Sequence, residues 1–164
     1  MSRHRAYVTT VSAVVAGSLL AYMAMRIIPG DEAAAQSTTA RRVIRPEKAP
    51  NTGLPFSPGI LAGNTLYVAG HLGRDPVTSK LVQGGIEAET RQSIANIRAV
   101  LQSAGMDLKN VASVTVYITN FSEFARFNTV YREFFPTDPP ARATVQVAAL
   151  NDGARVELQM IAVR

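Results

Sequence analysis

The chain has 164 residues, of which 47% are hydrophobic and 18% are charged, enough for one domain with a packed core plus additional sequence. It contains no cysteine and only two histidines, His4 and His71, which excludes disulfide scaffolds, cysteine-ligated zinc and thiol nucleophiles and argues against a histidine metal cluster. The formal net charge of +5 is spread thinly, without a block of about five or six like charges, and this argues against a nucleic-acid partner.

The N-terminus carries the pattern of an export element. Basic residues at positions 3–5 precede the uncharged run 6–25, and such a start directs the following chain across the membrane. Three alanines at 33–35 offer a signal-peptide cleavage site, whereas a run of about 20 apolar residues also suits a retained spanning helix. We therefore predict that residues 1–28 are a signal peptide or an N-terminal membrane anchor. The protein is then periplasmic or otherwise extracytoplasmic, either released or tethered to the inner membrane.

A flexible linker is predicted at residues 29–53, because this segment is poor in large apolar side chains and punctuated by proline and glycine. Its basic side chains would either stay solvated or contact anionic lipid head groups if the anchor is retained. These side chains are Arg41, Arg42, Arg45 and Lys48. The folded domain is predicted to span residues 54–164.

Hydrophobic periodicity within residues 54–164 predicts alternating strands and helices. In the first helix, Glu87 and Glu89 fall away from the apolar positions, and Asn120 with Glu123 forms a capping box that opens the second helix. In chain order the predicted elements are strands 60–62 and 65–69, a weaker strand 80–82, helix 86–104, strand 111–119, the second helix, and two strands within 142–164.

This order, β-β-(β)-α-β-α-β-β, predicts an α+β fold in which one mixed sheet carries two helices on one face. No further element remains to cover the opposite face of the sheet. Residues such as Tyr117, Ile161 and Val163 point towards it, so self-association is expected to cover them.

The C-terminal residues 142–164 are predicted to form a β-hairpin. Two β-rich runs flank residues 151–154, whose Asp-Gly centre suits a type I′ turn. In that register Arg142 lies opposite Val163, and Arg142 and Glu157 stand about 20 Å apart. We therefore expect a working site that takes Arg142 from one protomer and Glu157 from its neighbour.

The residue types at these two positions have a chemical rationale. A guanidinium binds a carboxylate bidentately and orients it, while a nearby carboxylate activates water or relays a proton. The alternative is that Arg142 and Glu157 form an exposed cross-strand salt bridge of little energetic consequence.

Several segments of residues 55–164 resemble the RidA family, also called YjgF or UK114-like. The resemblance implies a chorismate-mutase-like fold, a homotrimer with ligand clefts between subunits, and hydrolysis of reactive enamines and imines, such as 2-aminoacrylate, to 2-keto acids and ammonia. It implies no metal and no organic cofactor. The segments that carry the resemblance are 55–57, 63–70, 86–92, 96–101, 114–124, 128–131, 140–143 and 156–158.

The resemblance also implies roles for single residues. Arg142 binds the substrate carboxylate, Glu157 acts through water, Asn128 belongs to the pocket, and the loop ending at Gly70 presents a backbone amide to the ligand. Four positions depart from the pattern typical of the family's deaminases and affect substrate binding or turnover: Phe56, Ala69, His71 and Thr144.

Some of these residues have alternative interpretations. His71 is either a general base with a pKa near neutrality or a polar surface residue. Phe56 is a pocket wall or a core aromatic, and Asn128 is a ligand donor or a solvated helix residue.

Two other functions remain open beside imine hydrolysis. One is a non-catalytic protein that binds small carboxylates in the same cleft. The other is the ribonuclease or translation-inhibitor activity attributed to some relatives, against which export argues because the relevant RNA is cytoplasmic.

Overall fold

The computed structural model describes residues 40–47 and 53–164. The predicted signal peptide or anchor, residues 1–28, lies outside these ranges, as do most of the linker and Lys48, so export stays a prediction. No helix within 40–47 and 53–164 has both the length and the apolar composition that crossing a membrane requires.

The described residues form one six-stranded sheet and two α-helices. Across the sheet the strand order is β1-β2-β3-β6-β4-β5, and every neighbouring pair is antiparallel except β4–β5. This arrangement confirms the predicted α+β fold with a mixed sheet. The strands are β1 (Arg42–Ile44), β2 (Gly59–Ala62), β3 (Thr65–Leu72), β4 (Val111–Ile118), β5 (Ala141–Gln146) and β6 (Val156–Val163), and the helices are α1 (Gly85–Ser103) and α2 (Phe124–Phe134).

The core lies between the helices and one face of the sheet, which we call the helix face. Strand periodicity sends alternate side chains to opposite faces, and in β4 the residues Val114, Val116 and Ile118 are fully or almost fully buried on the helix face. The opposite, open face carries exposed apolar side chains, among them Tyr67 at 50% and Val145 at 44% exposure. The self-association that would cover this face stays a prediction.

Strand β1 lies within the predicted linker, so the linker prediction is wrong at residues 42–44. Ile44 pairs with Gly59 of β2 and joins the core with only 3% of its surface exposed, whereas Val43 is 50% exposed. A three-residue strand with one buried side chain has no periodicity that a sequence pattern can detect.

The predicted C-terminal hairpin is also wrong. The turn itself forms: Asp152 and Gly153 have positive φ angles of 56° and 74°, and the Ala154 N–H donates to the Asn151 carbonyl at 3.2 Å. However, β5 pairs in parallel with β4, and β6 inserts between β3 and β4. The reason is that β4, α2 and β5 form a crossover unit, which places β5 parallel to β4 and leaves β6 the other side of β4.

Three smaller predictions need correction. The weak strand 80–82 is reduced to an isolated bridge between Arg74 and Leu81. The Asn120 side chain accepts from the Ser122 N–H at 3.0 Å, but Glu123 binds Arg155 instead of completing the capping box. Glu89, predicted to lie away from the apolar positions, is 5% exposed.

The docking of β1 generates a stability prediction. We expect Ile44→Ala to lower the free energy of unfolding by about 2–4 kcal/mol, because it deletes a buried side chain from the core. The matched control Val43→Ala, one residue away and half-exposed, should change it by no more than about 0.5 kcal/mol. Urea unfolding of both variants measures the difference, and equal losses would contradict the placement of β1 in the sheet.

Candidate functional site

Glu157 lies in a shallow cavity on the open face of the sheet. The cavity has a volume of about 290 Å³ and is lined by Gly70, Tyr117, Leu150, Glu157 and Gln159. The Glu157 carboxyl is half-buried, and burial raises its pKa above the usual value. None of the lining residues is basic, so among the described residues the cavity offers a carboxylate without a counter-charge.

A β-bulge in β3 forms the wall of this cavity. Val68 pairs with Met160 and His71 pairs with Leu158, so two residues of β3 oppose one residue of β6 between these pairs. The bulge brings Gly70 onto the Glu157 carboxylate, where a Cβ atom at position 70 would stand 1.9 Å from Oε1. Any larger side chain at position 70 would therefore displace the carboxylate.

Arg142 projects from edge strand β5 and rests on three aromatic rings of α2. Its Cζ atom lies 4.5 Å from the ring centroid of Tyr131, 5.4 Å from that of Phe127 and 5.8 Å from that of Phe124. Such cation–π contacts hold a guanidinium without using its N–H groups. Among the described residues no carboxylate pairs with Arg142, which is exposed, so its donors stay available for an anion.

The structure does not bring Arg142 and Glu157 together within one chain. Arg142 is in register with Val114, whose side chain lies on the helix face, and Glu157 is in register with Tyr117, whose side chain lies on the open face. The separation of about 20 Å expected from the hairpin register loses its basis, because β5 and β6 are not paired. Opposite faces of the sheet keep the two side chains apart instead, and a salt bridge between them is absent from the described part of the chain.

Two predicted pocket residues lie on the same side of the sheet as Arg142. Thr144 follows it by two residues in β5 and is half-buried on the helix face. Asn128 is half-buried in α2 and shares a side of that helix with Phe124 and Tyr131, at the i, i+4, i+7 spacing. Thr144 and Asn128 therefore belong to the surroundings of Arg142.

Phe56 belongs to the segment that precedes β2. Its side chain is 51% exposed, so it is not a core aromatic. The segment that carries it is tied to the bulge, because the Ala69 N–H donates to the Pro58 carbonyl at 2.9 Å. Phe56 is not among the residues that line the Glu157 cavity in one chain.

His71 fits neither of its predicted descriptions. The side chain is largely buried, and desolvation lowers its pKa to about 4, so the expected pKa near neutrality is wrong. Its Nε2 atom is buried and has no hydrogen-bond partner among the described residues. At neutral pH the imidazole is therefore uncharged, and its lowered pKa makes it a weaker general base than a histidine with a pKa near neutrality.

Sequence reasoning missed several side chains around the two charged groups. Tyr117 is predicted on the open face but not in a site, whereas strand alternation by itself places Gln159 on the same face as Glu157. The aromatic residues under Arg142 follow helical spacing. Such spacing indicates a core-facing side of the helix and gives no sign that the rings contact a guanidinium. Leu150 lies in an irregular connection, where no pattern would have identified it.

Comparison with known proteins places these features in context. The sequence profile of the family described as endoribonuclease L-PSP matches residues 46–164. A 2-iminobutanoate/2-iminopropanoate deaminase of Capra hircus is 42% identical over 128 residues, covering 78% of this chain and 93% of the goat protein. RidA from an Antarctic Psychrobacter superposes with a TM-score of 0.71 at 38% identity, covering 75% of this chain and 99% of that chain. Escherichia coli TdcF with bound serine superposes with a TM-score of 0.71 at 30% identity, covering 75% and 98%.

The half-buried Glu157 carboxyl generates a prediction about pH and stability. Because the folded-state pKa is raised, folding is favoured by protonation, and this contribution is present in acid and lost as the pH rises through the folded-state pKa. Glu157→Gln should therefore stabilise the protein at neutral pH and have less effect in acid. Thermal unfolding of the wild type and the variant, from acid to neutral pH, measures this stabilisation. The prediction fails if the stabilisation is greater in acid than at neutral pH.

Proposed function

Because the chain belongs to the RidA family, as its match to the endoribonuclease L-PSP profile and its deaminase relatives show, we propose that it hydrolyses reactive 2-imino acids of the 2-aminoacrylate type. The products are 2-keto acids and ammonia. The observation that carries this proposal is Arg142, an exposed guanidinium held on aromatic faces with its hydrogen-bond donors unoccupied by carboxylates of the described chain.

In this proposal Arg142 binds the substrate carboxylate. A planar guanidinium accepts a carboxylate through two parallel hydrogen bonds, which fixes the orientation of the reacting carbon next to it. The three aromatic rings of α2 that contact Arg142 add to this role. They restrain the long side chain before the substrate binds, so less conformational entropy is lost on binding. The crystal structure of TdcF with bound serine, a ligand with an α-carboxylate, supports the assignment of this ligand class.

Glu157 is the acid–base group of the proposed reaction. The imine carbon is already electrophilic, so the carboxylate needs only to accept a proton from water while the water oxygen bonds to that carbon. That proton is delivered to nitrogen, which gives a carbinolamine. The carboxylate then carries the proton of the new hydroxyl group to the same nitrogen as the carbon–nitrogen bond breaks, which releases ammonia and leaves the keto group. A carboxyl with a raised pKa suits this exchange, because acid–base catalysis is most efficient when the pKa approaches the working pH.

The two halves of the site are proposed to meet between subunits of a homotrimer. Each lacks what the other has: the Glu157 cavity has no basic lining residue, and Arg142 has no carboxylate partner within the described chain. Edge strand β5 is almost entirely exposed, and the open face carries exposed apolar side chains, so both surfaces suit contact with a second copy. We further propose, from the pattern of residues 3–25 alone, that the trimer acts outside the cytoplasm.

Turnover of an imine tests the function directly. We expect Glu157→Gln to reduce kcat by about 10²–10⁴-fold, the range for loss of a general acid–base group, with KM little changed. Arg142→Ala should instead raise KM strongly. Enzymatically generated 2-aminoacrylate, with its decay followed spectroscopically, provides the assay. Wild-type protein that performs no better than Arg142→Ala overturns the proposal, and retained binding of a 2-keto acid would then favour the non-catalytic binder.

Mixing the two impaired variants, at a substrate concentration well below the KM of Arg142→Ala, tests the shared site. If each site takes Arg142 from one subunit and Glu157 from another, co-refolded Arg142→Ala and Glu157→Gln chains regain about one quarter of the wild-type activity, because random assembly of a cyclic oligomer makes that fraction of sites intact. The matched control mixes Arg142→Ala with the double variant, which should regain nothing. A mixture of the two single variants that stays inactive would place both groups of a site in one subunit.

A further inference from the structure

Helix α1 carries a row of polar side chains on the side that faces the sheet. Glu89, Ser93 and Asn96 are spaced i, i+4 and i+7, which places them along one side of the helix. Glu89 is 5% exposed and Ser93 is fully buried. Buried polar groups of this kind are retained where they satisfy other buried polar groups, so their partners indicate what they do.

Two of the three residues bind the backbone directly after the β3 bulge. The Ser93 hydroxyl donates to the His71 carbonyl at 2.8 Å, and the Asn96 amide donates to the carbonyls of Leu72 and Arg74 at 3.2 Å and 2.8 Å. Leu72 is the residue of β3 that stands directly opposite Glu157. These hydrogen bonds therefore hold the end of β3, next to the bulge that places Gly70 against the Glu157 carboxylate.

The orientation of the Asn96 amide is itself fixed. The Gln92 side chain donates to Asn96 Oδ1 at 2.9 Å, which turns the Asn96 NH₂ group towards the two carbonyls. Gly73 allows the helix to approach this closely, because a Cβ atom there would stand 2.4 Å from the Glu89 Cα. Helix and strand end are thus packed in a single arrangement.

Glu89 fixes the neighbouring strand at its start. Its Oε2 accepts from the Arg155 N–H at 2.7 Å, two residues before Glu157. The Arg155 guanidinium binds both oxygens of Glu123 at 3.0 Å and 2.9 Å, and the Arg155 carbonyl accepts from the Thr119 N–H at 3.0 Å. The backbone leading into Glu157 is therefore held through its N–H, its carbonyl and its side chain.

We propose that Glu89, Ser93 and Asn96 are positioning residues for Glu157: from α1 they fix the β3 bulge and the start of β6, and so keep Gly70 against the carboxylate. Their catalytic consequence rests on the imine hydrolysis proposed above, whereas their structural consequence does not. If the bulge relaxes, Gly70 moves away and water reaches the carboxylate, which becomes less desolvated and less well oriented.

Ser93→Ala and its matched control Ser103→Ala test this. Both serines lie in α1, but among the described residues Ser103 bonds only the Ala99 carbonyl of its own helix, at 2.9 Å, and is exposed. We expect Ser93→Ala to lower kcat on the order of tenfold, the equivalent of one hydrogen bond, with KM within about twofold of wild type. A carbon-13 NMR titration should show the Glu157 pKa falling towards its usual value. Ser103→Ala should change neither quantity.

Two substitutions of Glu89 separate the effect of its hydrogen bond to the backbone from the effect of its charge. Glu89→Gln keeps a carbonyl oxygen for the Arg155 N–H and should keep the Glu157 pKa of the wild type, whereas Glu89→Ala should lower it. A Glu157 pKa that is unchanged in both Ser93→Ala and Glu89→Ala, with only the unfolding free energy reduced, overturns the positioning role. Because the titration needs no substrate, it decides the inference even if wild-type protein fails to hydrolyse imines.

Discussion

The central position of β6 is the constraint on which the rest of the site depends. A strand hydrogen-bonded on both sides, here by β3 and β4, cannot shift along its axis without breaking two ladders at once. Glu157 is therefore carried by a rigid part of the sheet, between Leu72 and Tyr117. Arg142, by contrast, lies in an edge strand with one free side. This asymmetry suits a site in which a fixed acid–base group meets a carboxylate receptor carried at the margin of another subunit.

The same topology explains which predictions from sequence succeed. Helices, most strands and the turn at residues 151–154 depend on local spacing and turn chemistry, and each forms close to where periodicity predicts it. The pairing of β5 and β6 does not depend on local signals. An Asp-Gly turn reverses the chain equally well in a hairpin and in a connection that crosses over β4, and the choice is made by α2, which returns the chain parallel to β4. The same limit applies to β1, whose single buried side chain, Ile44, has no periodic neighbours.

In the candidate site, too, local patterns identify single residues but not the tertiary contacts around them. Arg142 and Glu157 could be singled out because a guanidinium and a carboxylate have obvious chemistry and because their surroundings resemble a known family. The environments of these two side chains could not be predicted from the sequence. The contact between Gly70 and Glu157 arises from a bulge, and the burial of Glu89 arises from a backbone N–H that needs an acceptor. Both features depend on contacts between segments that are far apart in the sequence, and local residue patterns do not predict such contacts. The lowered pKa of His71 likewise results from burial in the folded chain.

Charge balance links these local features to the chemistry. Desolvation raises the Glu157 pKa because the described cavity contains no cation to oppose it. A guanidinium arriving alone would reverse this shift, since a nearby positive charge favours the ionised carboxyl. In the proposed cleft, however, Arg142 arrives paired with the substrate carboxylate, and the pair is close to neutral. Glu157 then keeps the elevated pKa that lets it take a proton from water and return it to nitrogen. For the proposed cleft, it therefore matters that none of the described residues lining the Glu157 cavity is basic. The three aromatic rings beneath Arg142 contribute to this within one chain, because they hold the guanidinium on the opposite face of the sheet.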